Sequence, residues 1–457
     1  MLAALLISPS CSPTTIDPVP DPNNPGIDSV IANATPIQIS ALFTGLEAVI
    51  RLGHTNNAPF YQMAGVMSRE VIVLASNEPR WAKEILGTKG ALDNAAFYSV
   101  GSYDSFTRAI RAAQILRQSA QGTVSITDGE KQAVYGFADT YEALAKLYVL
   151  DLMGENGIRI DVANFLVPGK FTAGSAPALA NIRQLLETGA AELAKGTDFT
   201  FGLSSAGLSS GYTGFDTPAS FLTFNRGLAA RVALYQGKNS EALNALKTSF
   251  YNPGATNQAD LAVGPKITFN PGISGDQGNA YFQKLNASPS TLVVVPDNFV
   301  TEAEAGDKRL SKVSQRTTPK SLFGITANYE PASYISQTQT LDIIRNEELI
   351  LISAEAKAKT GDFTGAIADI NVIRTVSGGL PAYTGTITQD ALVNEVLKQR
   401  RYSLFYEGQF WIDLRRLGKL NAAPTPDITL PYAATPYMLF SSLVIPQAEA
   451  SWDQAHP

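Results

Sequence analysis

A chain of 457 residues has room for one large buried core or for about three average domains. It is 45% hydrophobic and only 17% charged, with 36 glycines and 26 prolines, which describes a globular protein with much irregular backbone. A net charge of −6 with no basic run argues against nucleic-acid binding through phosphate neutralisation. Two histidines and one cysteine leave little for a zinc site or a Cys/His nucleophile and exclude an internal disulfide.

Residues 1–11 are apolar and then small, and they stop at Cys11. The run is too short to span a bilayer and reads as the remnant of a signal peptide ending at a lipid-acceptor cysteine. Residues 12–34 follow as a Pro-rich tether. Five prolines between Ser12 and Pro25 favour a stiff, extended spacer of the kind a lipid anchor needs. Residues 35–457 are expected to form a single body. No later stretch holds 18 uninterrupted apolar residues.

From about Thr35 the hydrophobic period is helical, with Ile39, Leu42, Leu46, Val49 and Ile50 on one face. Further helices are predicted near 57–75, 103–119, 127–154, 175–195, 217–236 and 239–250, then near 342–360, 363–376 and 388–407. Tyr103, Phe106 and Ile110 share a face and belong to the core, and His54 reads as a cap or surface residue at a helix end. Two long breaks, near 76–102 and 251–340, are rich in Gly, Asn, Pro and aromatics; breaks of that length are usually functional. Within the second, Leu292-Val-Val-Val-Pro296 predicts a short strand.

Two segments repeat one pattern. Ala229 to Leu243 and Ala354 to Ile367 each run from a small-residue helix to a glycine (Gly237, Gly361), with an alanine five places later (Ala242, Ala366). Glycine suits a left-handed C-cap, and alanine lets the next helix approach closely. This is the inner half of a tetratricopeptide-type hairpin, and two copies so far apart predict hairpin packing without a regular solenoid. The expected fold is therefore mainly α, with tetratricopeptide-like helical hairpins in one body that carries long irregular loops.

The last third is the most specific. Ile344-Arg-Asn-Glu-Glu-Leu-Ile-Leu-Ile-Ser-Ala-Glu-Ala356 leads through Gly361-Asp-Phe and Ile370-Asn-Val-Ile-Arg374 to Gln399-Arg-Arg-Tyr-Ser-Leu-Phe-Tyr-Glu-Gly408. It closes with Phe410-Trp-Ile-Asp-Leu-Arg-Arg416 and Ile445-Pro-Gln-Ala-Glu449. This order and spacing resembles the SusD/RagB family of outer-membrane nutrient-binding lipoproteins. The stretches Gly211–Phe221, Asn225–Arg231 and Asp307-Lys-Arg309 extend the resemblance over essentially the whole chain. Gln399 and Ser403 depart from it, since the family often has Glu at these places. The resemblance implies a non-catalytic protein, lipid-anchored in the outer membrane through Cys11. It would bind an oligosaccharide or peptide and pass it to a SusC-like TonB-dependent transporter, with no cofactor, metal or nucleic acid involved. A tetratricopeptide-type scaffold for protein partners is the alternative.

Read from the residues alone, the 399–416 motif is structural. Arg400 and Glu407, seven apart, are expected on one helix face, with Asp413, Arg415 and Arg416 returning to pair and Trp411 packed in the junction. A glycosidase reading with Glu407 and Asp413 as the paired carboxylates is disfavoured, because nearby arginines lower a carboxyl pKa. The resemblance implies a shallow ligand site built from loops, where aromatic faces and planar polar groups suit sugar rings. With Trp411 and Trp452 in the C-terminal framework, Trp81 is the tryptophan left for it. Arg80, Trp81 and Tyr98 are the first candidates for ligand binding, and Tyr281 and Phe282 in the second break are further ones. A plug holding the loop to the body is the competing role for Trp81 and Tyr98, and more so for Tyr281 and Phe282.

Overall fold

The computed structural model describes residues 27–164, 166–203, 207–273, 275–421 and 428–456. Cys11 and the chain through residue 26 therefore lie outside the described residues. Of the expected tether, Ile27–Asn33 is helical (α1); no proline interrupts it, and Val30 packs on the core. It is followed by α2 (Pro36–Leu52), α3 (Phe60–Met67), β1 (Ile72–Ala75), α4 (Phe97–Gly122) and α5 (Asp128–Met153). Next come β2 (Ile158–Arg159), β3 (Phe171–Thr172), α6 (Ser175–Leu193), α7 (Pro218–Tyr235), α8 (Asn239–Leu246) and α9 (Gln258–Leu261). The second long break carries β4 (Lys266–Ile267), β5 (Thr291–Val294), α10 (Asn298–Thr301), β6 (Val313–Leu322), β7 (Ile325–Pro331) and β8 (Leu341–Asp342). The chain ends with α11 (Asn346–Lys359), α12 (Phe363–Val372), α13 (Gln389–Ser403), α14 (Gln409–Arg416) and α15 (Gln447–Ala455).

The fold is mainly α, as predicted, and is built of antiparallel helical hairpins: α4 on α5, α5 on α6, α6 on α7, α7 on α8, and α11 against α8, α12 and α13. The repeat has the predicted physical basis. Gly237 and Gly361 sit at φ +71° and +86°. After each, the next amide reaches back to a carbonyl five residues earlier, Lys238 N to Ala233 O and Asp362 N to Lys357 O, each at 2.9 Å. This is the six-to-one bond of a Schellman cap. Ala242 and Ala366 are both fully buried where the second helix closes on the first.

The strands form only two-stranded antiparallel pairs among the described residues. Two of them position the loops. β1 pairs with β5 (Ile72 opposite Val294, Ala75 opposite Thr291), and β6 pairs with β7 up to Leu322 opposite Ile325. A bridge between Val295 and Tyr329 joins these two pairs. The predicted helix over 57–75 is thus α3 followed by a strand. Its apolar run Val71–Ala75 is fully buried, and a short buried run does not by itself distinguish helix from strand.

Two sequence expectations are corrected in the core. His54 is neither a cap nor on the surface: it is 0% exposed, ringed by Phe60, Tyr61, Phe106, Tyr148 and Tyr281. Burial pushes its pKa down to about 3, so the imidazole is neutral, with Nδ1 3.2 Å from the Tyr281 hydroxyl. Arg400 and Glu407 do not share a helix face, because α13 ends at Ser403 and Tyr406 turns the chain at φ 61°. Their charges go to different partners. Arg400 Nε lies 2.6 Å from Asp413 Oδ2, whereas Glu407 pairs with Arg345. Arg416 grips Glu355 with both terminal nitrogens (2.5 and 2.6 Å) and also holds Asp413. Trp411 is fully buried in this junction as expected, with Nε1 donating to Phe440 O at 2.9 Å.

Candidate functional site

The loop after β1 turns outward at Ser76 and Asn77 and re-enters as one π-helical turn, Trp81–Ile85. Wide turns of this kind recur at functional sites. Here the turn buries Trp81, Ala82, Glu84 and Ile85 and leaves only Lys83 facing out. α4 begins directly above it at Phe97, six residues earlier than the periodicity predicts.

The sequence-predicted residues fall into two places. Arg80 is half-buried and clamps Glu78 with Nε at 2.7 Å and Nη2 at 2.5 Å, a bidentate pair. The hydrogen bonds from Arg80 hold the Glu78 carboxyl below the ordinary carboxylate range. The guanidinium of Arg80 lies over the Phe97 ring, 4.9 Å from its centroid, and Trp81 meets the same ring edge-on at 5.4 Å. Trp81 itself is 3% exposed and presents no free face. Tyr98 is 1% exposed and works as a peg: its hydroxyl donates to Glu84 Oε2 and accepts from the Asp93 amide, both at 2.8 Å.

Tyr281 and Phe282 are not part of this group. Tyr281 is 3% exposed, stacks on Tyr61 at 5.1 Å, and its hydroxyl accepts the Tyr61 amide at 3.1 Å. It anchors the second long break to the helical core. Phe282 beside it is half-buried. The rings of Trp81, Tyr98 and Tyr281 are therefore enclosed by protein, and a ring without a free face cannot stack on a sugar.

Three residues not singled out from sequence complete the exposed face. Phe97 carries the Arg80 guanidinium. Lys83 points from the π-helical turn to the Phe323 ring, 5.3 Å from its centroid. Phe323 sits at the tip of the β6–β7 hairpin, 38% exposed, at φ 53°, followed by Gly324 at φ 78°. With Leu322 opposite Ile325, Phe323 and Gly324 form a two-residue turn with both φ positive, the geometry that favours Asn-Gly. A phenylalanine there costs roughly 1–2 kcal/mol of left-handed strain, and such strain persists where surrounding structure holds it and clusters at ligand clamps. Phe97 was legible in part. Extending the Tyr103–Phe106–Ile110 face back by whole turns lands on Ser102 and Ser99, both buried, and leaves Phe97 on the far side. Phe323 was not, since its turn carries an unfavourable residue.

The two carboxylates of the disfavoured glycosidase reading lie in different surroundings. Asp413 is fully buried between Arg400 and Arg416. Glu407 departs from expectation, since burial raises its pKa against the pull of Arg345 and Lys312. Among the described residues no cluster of three His, Cys, Asp or Glu is placed to hold a metal, and no helix is long and apolar enough to cross a membrane.

Residues 246–434 match the model of the SusD family. No curated protein matches the chain. Among solved structures the chain is similar to surface glycan-binding protein A from Bacteroides thetaiotaomicron, with TM-score 0.69 and 13% identity over 94% of this chain and 99% of that one. It is also similar to a laminarin-binding SusD-like protein (TM-score 0.66, 16% identity, 92% and 98% covered). A SusD superfamily protein from Bacteroides vulgatus ATCC 8482 gives TM-score 0.66 and 16% identity, with 91% and 97% covered. At these identities the likeness to solved structures carries the fold.

Proposed function

The chain belongs to the SusD/RagB family, and from that premise we propose that it captures a glycan oligomer on its loop face and releases it unchanged. The observation that carries this reading is Phe323, a large exposed ring held in a strained turn beside Lys83. The left-handed turn loses more by carrying a phenylalanine than the surface contact with Lys83 returns, so its use is better sought in what the ring touches. Together with Phe97, Arg80 and Glu78 it offers an aromatic face, a planar donor and an ionised acceptor, the groups that sugar rings and hydroxyls need. In this reading Arg80 contacts the ligand, while Trp81 and Tyr98 hold the loop that presents it. Tyr281 fixes the second break from below, with Phe282 at its edge.

The body is further proposed to be tethered through a lipid on Cys11 to the outer membrane and to hand its ligand to a SusC-like TonB-dependent transporter. The apolar stretch before Cys11 and the proline-rich segment after it support the anchor. Family membership supports the transporter. Calorimetry of the protein against a panel of glycans and peptides, with product analysis on each hit, tests the core of the proposal. Binding without turnover is expected, and turnover of any hit would refute it.

Phe323→Asn makes the sharpest point test because two effects are expected in opposite directions. The turn relaxes into a favoured Asn-Gly type, so stability rises by about 0.5–1 kcal/mol. Glycan affinity falls about five- to thirty-fold through loss of 1–2 kcal/mol of ring contact. Unfolding midpoint and binding titration on one preparation read both, and unchanged affinity would remove Phe323 from the site.

A further inference from the structure

A second cavity shares no residue with the loop face. A cleft of about 410 Å³ opens between α9, the 3₁₀ turn Lys308–Lys312 and the loop that leads into β8. Its floor is a closed charge network. Arg345 donates to Glu347 Oε2 from Nε (3.1 Å) and Nη2 (2.8 Å), pairs with Glu407, and reaches Asp342 at 3.4 Å. Arg309 is held in turn by both oxygens of Asp307, at 2.9 and 2.7 Å. Every carboxylate lining the cleft thus has a cationic partner.

The reverse is not true. Lys308 and Lys312 both line the cleft, and neither has a carboxylate within ion-pairing distance among the described residues. The Lys312 ammonium gives its hydrogen bonds to the carbonyl oxygens of Tyr402 (3.2 Å) and Ser403. Ser333, which also lines the cleft, keeps its Oγ buried without a partner. Glu347 and Glu407 act on the Lys312 charge from beyond ion-pairing distance, whereas Lys308 at the rim and the Ser333 hydroxyl are left for a ligand to complete. The nearby Asp342, Glu347 and Glu407 bear on which ligand fits. They would repel a dianion such as phosphate but can accept hydrogen bonds from hydroxyls.

We propose that this cleft is a second binding site, selective for a singly charged, polyhydroxylated carboxylate of the hexuronate class. Lys308 at the mouth and Lys312 inside meet the carboxylate, and Ser333 takes a ring hydroxyl. The site stands independently of the glycan reading of the loop face, because its argument uses only charges and hydroxyls of the cleft.

The test is titration of the full chain with sodium glucuronate, sodium galacturonate, glucose and inorganic phosphate at low salt, followed by calorimetry or ligand-observed NMR. A uronate is expected to bind while glucose and phosphate bind at least ten-fold more weakly. Lys308→Gln, at an exposed position, should weaken uronate binding about ten-fold, the size of one charge-assisted contact. Ser333→Ala removes only the unpartnered oxygen and should weaken it by a smaller factor with the unfolding midpoint unchanged. Absence of uronate binding, equal binding of glucose or phosphate, or uronate binding that both variants leave unaltered would each overturn the proposal.

Discussion

Trp81→Ala is expected to lower the stability of the protein by about 3–5 kcal/mol, the cost of emptying a buried aromatic site. The indole is 3% exposed and packs edge-on against Phe97, while the chain around it is held by Tyr98 through Glu84 and Asp93. Removing the ring leaves a cavity under the π-helical turn and frees Phe97, the support of Arg80. Denaturant unfolding should show the shift directly. Glycan affinity measured well below the new midpoint should fall only modestly, because Arg80, Lys83 and Phe323 remain. A Trp81→Ala variant of wild-type stability that no longer binds glycan would instead make Trp81 a contact residue.

Stability is expected to be greatest near pH 5 and to decline by several degrees of Tm on raising the pH to 8. Burial pushes the carboxyls of Glu47 and Glu70 up to about 8, against Arg51 in one case and against the Tyr406 amide and Arg401 in the other. Burial likewise lifts Asp151 to about 7. A carboxyl whose folded pKa is raised keeps its proton when the unfolded chain has lost it. Its stabilisation is complete below the unfolded value near 4.5 and is lost as pH climbs through 8, at up to about 1.4 kcal/mol per pH unit per group. His54 opposes this: neutral when folded, it costs stability as pH falls from 6.5 toward 3. Asp139, which burial lifts to about 8 against Arg117, adds to the three carboxyls; between pH 5 and 6.5 these carboxyls outweigh one imidazole, and above 6.5 no imidazole opposes them. Below 4.5 the fall is steeper, because Arg345 and Lys312 overcome burial to hold Glu347 near 2, and Arg416 does the same for Glu355. Glu70→Gln removes one buried acid and should raise Tm at pH 8 while changing little at pH 5. A flat Tm between pH 5 and 8 would show that these carboxyls are solvated.

The helices were legible because their faces are periodic, and the tetratricopeptide-like turns were legible because Gly237 and Gly361 must take positive φ. In the motif around Trp411, the indole and the pairing of Asp413 with Arg400 and Arg416 follow the sequence reading, whereas Glu407 turns away to Arg345 and Arg415 donates its hydrogen bonds to backbone carbonyls. What stayed hidden has local causes. α4 begins at Phe97 behind an Ala96 N-cap that offers no side-chain hydrogen bond, so nothing in the sequence marks its start. Placing that start at Tyr103 kept Tyr98 among the loop aromatics and its neighbour Phe97 out of view. The β6–β7 hairpin runs through mostly polar residues to a Phe-Gly turn in place of Asn-Gly, so neither alternation nor turn chemistry announced it. His54 is buried by rings from four separate parts of the chain, a convergence no local window contains.

The pairing of Ile72 with Val294 has a consequence for when the protein becomes competent. The strand that launches the Arg80 loop finds its ladder partner more than two hundred residues downstream, and Phe323 comes later still. The N-terminal helical hairpins can fold as they emerge during synthesis, but the proposed capture surface is assembled only when about three-quarters of the polypeptide is available. A prematurely terminated chain would keep much of its helical architecture and have nothing with which to catch a ligand.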